Sequence, residues 1–479
     1  MVDRTKATQP LNERYASERM SYIFSQEYRF RSWRRLWIAL AEAQQELGLP
    51  ISDAQLDEMR AVQDDVDYEI AEKREREVRH DVMAHVHAFG EQAPSARGII
   101  HLGATSATIT DNTDVLQMAD AIDHLERGLV TLMSKLRDFA WNHRAMPTLA
   151  FTHFQPAQLT TVGKRATLWL QDLVIDWQEL RRRRETLALL GVKGATGTQG
   201  SFLELFEGDA DKVERLEKRF AEKLGFENVI AVSGQTYTRK QDSLVLDALA
   251  QFGQSSSKFA YDLRLLQHLH EIEEPFEDKQ IGSSAMAYKR NPMRSERIDA
   301  LARHLIINRQ NPAFTAATQW FERTLDDSAN RRIAIPEAFL AADAICILYD
   351  NVAGGLVVHE DVIRSNVERE LPFMMTENLM MEGSRRGGDR QQLHERVRVH
   401  ARAAADALHG GAPRNDLFER IAGDDAFGQS LEDLERAADP ARYTGLSERQ
   451  TARFVSEVVD PILESRKDLV RSVVSEVRV

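Results

Sequence analysis

Residues 280–297 read QIGSSAMAYKRNPMRSER and set two adjacent serines, Ser283 and Ser284, beside Lys289, Arg290, Arg294 and Arg297. Gly282 and the serines predict a flexible turn that offers hydroxyls and free amides. Pro292 suits the first turn of the helix that follows, where its missing N–H costs nothing. The positive end of that helix and the four cationic side chains are expected to face one volume, which makes an anion site. A loop this long and this poor in bulky residues also suits a lid that closes over a substrate and excludes water. The plainer alternative is a polar interhelix loop ahead of a solvated basic helix.

Three further segments carry candidate chemistry. His153 stands in FTHFQPAQ, between two predicted long helices. Thr152, Gln155 and Gln158 flank it and could fix one tautomer, and an imidazole titrates where neutral-pH proton transfer needs it. RHDVMAHVH holds His80, His85 and His87, a dense histidine run. On a helix, His80 and His87 are two turns apart and His85 points elsewhere, and there is no HExxH frame, so no metal is expected. RTLDDSANRR, residues 323–332, resembles an aspartate-rich magnesium box, yet Asn330 replaces the last acid and Arg323, Arg331 and Arg332 crowd it. Arginines there suit direct pairing with phosphate or carboxylate.

Long helices must position these segments. Residues 25–47 bury aromatic and aliphatic side chains at three- and four-residue steps until Gly48 and Pro50, and Ser52 with Gln55 gives a capping-box pattern for the next helix. Residues 67–89 read as one highly charged helix ending near Gly90. From Val115 through Met118, Ile122, Leu125, Leu129, Leu132, Leu136 and Phe139 runs one apolar stripe. Comparable stripes cover 159–189, 242–273, 294–312 and 335–357, which predicts a bundle with more than one face to bury, hence a homo-oligomer. Polar, Gly/Thr-rich segments such as GVKGATGTQGS and SGQTYTRKQD separate the long helices, and after Gly354–Gly355 the helices shorten. The expected fold is all-α in three helical domains: 1–105, a central long-helix bundle over 106–358, and 359–479.

The totals narrow the partners. The chain has 479 residues, is 43% hydrophobic and only 7% aromatic, and carries a net charge of −13, so nucleic acid and anionic membranes should be repelled. The cations of 280–297 therefore act locally, toward a small anionic ligand. One cysteine, Cys346, excludes an intrachain disulfide and fits a reducing compartment. The N-terminal MVDRTKATQP has no apolar signal core, and the apolar region 333–358 is interrupted by Glu337, Asp343 and Asp350. A cytoplasmic protein is expected.

GSSAMAYKRNP resembles the signature of the aspartase/fumarase superfamily, roughly G-S-S-x-M-x-x-K-x-N-P. RHDVMAHVH, HLGATS, FTHFQPAQLTTVGKR, GVKGATGTQ, GQTYTRK and QWFERTLDDSANRR extend the resemblance over essentially the whole chain, toward the adenylosuccinate lyase family within it. The resemblance implies an aspartase/fumarase-like fold, no cofactor or metal, and β-elimination of fumarate from a succinyl-amine nucleotide. It implies Ser283 as general base, His153 as general acid, and Lys289 and Asn291 as holders of the succinyl carboxylate. It also implies that Thr105, Ser106 and Gln235 line the substrate site, while Arg14, Tyr15, Arg79, His80, Asp81, Arg297, Arg323, Ser328 and Arg332 grip the nucleotide and its phosphate. A homotetramer whose active sites each combine three subunits is implied as well. Ala287 departs from the family pattern, which usually has proline there, and should make loop closure entropically costlier. Another superfamily lyase, such as argininosuccinate lyase, is the nearest rival, disfavoured by the phosphate-directed arginines. A non-catalytic helical oligomer would have no reason to keep Ser283, His153, Lys289 and Asn291 together.

Overall fold

The computed structural model describes residue 5 and residues 7–470. Parts of the polar N-terminal stretch, and the outer ends of the first and last of the three expected domains, lie outside the described residues. Helix α1 (Gln26–Glu46) starts at Ser25, whose hydroxyl accepts from the Tyr28 amide, and is followed by Gly48 at φ 97°. The Ser52–Gln55 capping box forms as the sequence predicts.

The charged stretch 67–89 is not one helix. It forms α2 (Tyr68–Val78) and α3 (Asp81–Gln92), separated by Arg79 in the left-handed conformation at φ 55° and by extended His80. Periodicity alone does not reveal this break, because local capping sets it. Asp67 caps α2, and the His80 ring accepts the Met83 amide to start α3.

Five helices build the centre: α4 (Ser106–Asn142), α5 (Val162–Thr186), α6 (Lys240–His268), α7 (Met293–Asn308) and α8 (Asp327–Ala353). They pack on one another, and every residue of the α4 stripe named above is buried. At 37 residues, α4 is about 55 Å long. The N-terminal ends of α4, α6 and α8 meet, since Arg239, at the start of α6, bonds Asp111 of α4 and Asp327 of α8. Near the other end Lys135 of α4 pairs with Asp350 of α8 at 2.6 Å. Helices α5 and α7 run back between the two ends.

FTHFQPAQ is not a plain loop. It forms the turn of an antiparallel hairpin, β1 (Pro147–Thr152) and β2 (Gln155–Thr161), with His153 and Phe154 both left-handed at φ 53° and 58°. Two central residues of positive φ suit the twist of a tight hairpin. A second small ladder pairs β3 (Ile272–Glu273) with β4 (Val357–Val358). Beyond it, α9 (Glu360–Met374) packs against the hairpin, and of the described helices that follow only Arg390–His409 is longer than α9. Among the described residues, no helix is long and apolar enough to cross a membrane.

Candidate active site

A cavity of about 560 Å³ opens where the N-termini of α3, α4, α6 and α8 converge. Its lining includes Arg79, His80, Asp81, Thr105, Ser106, Gln235, Arg323, Ser328 and Arg332, all named from the sequence. The broken helix delivers the first three, because only a kink at Arg79 turns three consecutive residues toward one space. Four helix N-termini give this cavity a positive field before any side chain is counted.

The histidine is held in one tautomer. His80 Nδ1 accepts the Met83 amide at 3.4 Å, so its proton sits on Nε2, which lies 3.1 Å from Ser106 Oγ. Ser106 therefore accepts from the ring and keeps its own proton for a ligand. The other two histidines of the segment go elsewhere. His85 stacks on Phe30 at 3.9 Å, and burial, with Arg34 nearby, pushes its pKa down to about 4; His87 lies beside Glu91.

The cavity wall is built on a buried ionic network that spacing did not reveal. Arg239 clasps Asp111 with two bonds of 2.8 and 3.1 Å and reaches Asp327 at 2.7 Å. Asp327 also accepts from Arg323 at 2.8 Å. Arg331 bonds Asp242 at 2.7 Å and Asp114 at 2.9 Å, and Tyr237 donates to Asp242 at 2.6 Å. Burial raises the Asp114 carboxyl pKa, opposed by Arg331. Thus the failed magnesium box is an arginine anchor. Asp327 holds Arg323, while Arg332 pairs with Asp81 at 3.0 Å and stays exposed. The available signal was a pair of acids, Asp111 and Asp114, in the first turns of the helix, just ahead of its apolar stripe.

Two loops that line the cavity, those of Gln235 and Arg323, meet a third that carries Ala195 and Gly197. The Gln235 amide N–H donates to Glu322 O at 3.0 Å and its side chain to Ala195 O at 3.1 Å. A Cβ on Gly197, at φ 80°, would fall 1.9 Å from Ser233 O, and one on Gly234 would fall 2.5 Å from Glu322 O.

The remaining named residues lie away from this cavity. Tyr15 sits under the Arg297 guanidinium at 5.7 Å, with Arg14 beside it in the short helix Leu11–Tyr15. His153 at the hairpin tip, and Ser283, Lys289 and Asn291 in the 275–292 loop, belong to the opposite end of the bundle. Ser283 Oγ accepts the Met286 amide at 3.1 Å and the Ala285 amide at 3.4 Å. Lys289 is exposed, and Asn291 Nδ2 donates to Gly282 O at 2.7 Å.

Two expectations for this loop need correction. The N-terminus of α7 is not an open anion site, because the Glu274 carboxylate accepts the Arg294 and Ser295 amides at 3.0 and 2.9 Å. Arg294 does not face the loop volume either; it is buried and bonds Pro275 O at 2.8 Å and the Glu277 carboxylate. Both are tertiary pairings across the loop, which helix periodicity cannot show.

The fold is that of known lyases and isomerases. The 3-carboxy-cis,cis-muconate lactonizing enzyme from Pseudomonas putida superposes with a TM-score of 0.81 at 23% identity, covering 94% of this chain and 99% of that one. A fumarate lyase from Mesorhizobium sp. BNC1 gives 0.79 at 24%, covering 93% and 99%. The Lyase family matches residues 13–306, more than half of the chain, so the chain is a lyase. Residues 372–454 match the adenylosuccinate lyase C-terminus. Adenylosuccinate lyase of Saccharomyces cerevisiae is 49% identical over 97% of both chains, and that of Schizosaccharomyces pombe 47% over 98% of both. The chain belongs to the adenylosuccinate lyase family.

Proposed function

We propose that the chain releases fumarate from adenylosuccinate, giving AMP, and from succinyl-aminoimidazole-carboxamide ribotide, in purine nucleotide synthesis. The observation that carries this reading is the convergence of nine motif-assigned residues on one cavity faced by four helix N-termini. That is the surrounding a nucleotide phosphate requires.

In this reading Ser283 Oγ takes the proton from the carbon beside a carboxylate. Charge then builds on the carboxylate oxygens, where Lys289 and Asn291 stabilise it. The carbon–nitrogen bond breaks, and His153 protonates the departing nitrogen. A serine is a weak base, and the Met286 and Ala285 amides aimed at its oxygen support an alkoxide there. No cofactor is needed for these steps.

The acid and base belong to the end of the bundle away from the cavity, on the order of 40 Å or more along α4 and α6, which supports a site completed by other subunits. A homotetramer in which the cavity end of one subunit meets the loop ends of others removes the difficulty. Exposed apolar side chains along α5, α6 and α7, including Ile175, Tyr261, Leu265 and Ile307, support burial between copies. The division into domains 1–105, 106–358 and 359–479 and a cytoplasmic setting belong to the same reading.

The test is an absorbance assay with adenylosuccinate and no added metal, followed by subunit mixing. S283A chains and R323A/R332A chains should each be inactive alone and should regain a fraction of turnover when co-expressed. No turnover by the parent protein would end the substrate assignment. Absence of recovery in the mixture would end the shared site.

A further inference from the structure

The 275–292 loop is tied down at both roots by groups to which no catalytic role has been given. Its proximal root follows β3, which is paired to β4. Its distal root is the first turn of α7. Glu274 spans the two: its carboxylate accepts the Arg294 amide at 3.0 Å, the Ser295 amide at 2.9 Å and the Ser295 hydroxyl at 2.8 Å. The buried Arg294 side chain returns across the same gap to Pro275 O at 2.8 Å and to Glu277. Gln267, in the last turn of α6, adds a bond to Arg290 O at 2.9 Å. Above these ties the loop has a neck. Asn291 bonds Gly282 O at 2.7 Å, and a Cβ on Gly282 would lie 2.2 Å from Lys289 O.

We propose that Glu274 and Arg294 are positioning residues that lock both roots of the loop into one rigid body, so that closure moves only residues 283–290 and delivers Ser283 at a fixed height. The inference rests on the reading of Ser283 as the base. A carboxylate placed on a helix N-terminus holds two otherwise unpartnered amides and opposes the helix dipole, so the distal root has no reason to fray when the loop swings. Misplacing a reacting group by about 1 Å costs on the order of 10²-fold in rate. A loosened root therefore reduces turnover more than it reduces binding.

The experiment compares E274Q, R294K and S283A in the full chain, by steady-state kinetics and by hydrogen exchange over 275–295. E274Q should lower kcat about 10²-fold while KM moves by less than about threefold. In the parent protein, added substrate should slow exchange over 283–290 only. In E274Q, exchange should rise across 275–295, and substrate should protect it less. R294K keeps the charge but loses the fork that reaches Pro275 O and Glu277, so it should give the same pattern more weakly; it serves if E274Q does not fold. S283A should cut turnover about 10²–10⁴-fold and, apart from the Ala285 and Met286 amides that it frees, leave the parent exchange pattern of the loop roots intact. Parental kcat in both E274Q and R294K, or unchanged exchange at 275–295, overturns the proposal. Full turnover by S283A would instead remove the reading of Ser283 as base, whatever the exchange shows.

Discussion

The two ends of the central bundle are built differently. At the cavity end, charged side chains are buried and cross-paired, helix N-termini converge, and three loops touch with no space for a Cβ. At the other end, His153 caps a two-residue turn and Ser283 rides a loop closed at its neck, both reaching outward from well-anchored roots. One end is shaped in advance to grip. The other presents, on short arms, the two groups that the proposed mechanism uses for proton transfer. Binding charge demands fixed, desolvated partners, whereas proton transfer demands that a group approach and withdraw.

The comparison can be broken at either end. The largest effect is expected where the arms carry the chemistry: S283A and H153A should each reduce turnover about 10²–10⁴-fold with substrate binding little changed, as measured by kcat and by equilibrium titration. Near-parental turnover in either would erase the division of labour. Next comes the grip. D327N leaves Arg239 and Arg323 short of a buried carboxylate and should cost about 3–5 kcal/mol in urea unfolding. The same change tests whether the cavity end is the stiffer one.

R332A should be milder, raising KM about 10-fold or more with kcat less affected, because in the proposed reading it removes one charged contact to the substrate. The middle of the bundle supplies the smallest effect and a control for both ends. Asp176 lies buried between α4, α5 and α6 with Oδ2 unpartnered, and burial pushes its pKa up to about 7. The unfolded chain ionises this group near the ordinary carboxylate value. Stability therefore falls as pH rises from about 4 toward 7 and is level above that. D176N should raise thermal stability at pH 8 by on the order of 1 kcal/mol, since a buried amide still lacks a full set of partners. The gain should vanish near pH 4 in parallel melts.

What the sequence disclosed followed the range of the interactions involved. The α4 stripe was readable because helical packing repeats every three or four residues, and all of its named members are buried. The Ser52–Gln55 cap and the helix that follows Pro292 are likewise local. The break at Arg79 escaped because charged residues continue smoothly across it. The hairpin at 147–161 escaped because strands this short leave little alternation to detect. Arg239 meets Asp111 across 128 residues of chain, and Glu274 meets Ser295 across 21. No periodicity reports partners so distant. The motif named the groups expected to touch substrate, and the groups that hold those in place emerged only from the packing.

The contact of Gly197 and Gly234 with their neighbours has a further outcome. Nothing larger than hydrogen fits at either position, so the three segments touch backbone to backbone and resist being drawn apart. In the proposed assembly, a fixed jaw leaves the traffic of nucleotide to the Ser283-bearing flap that another subunit lays over it. The pace of product escape should then follow changes in the Ser283-bearing flap, Ala287 among them, and be indifferent to polishing of the rim.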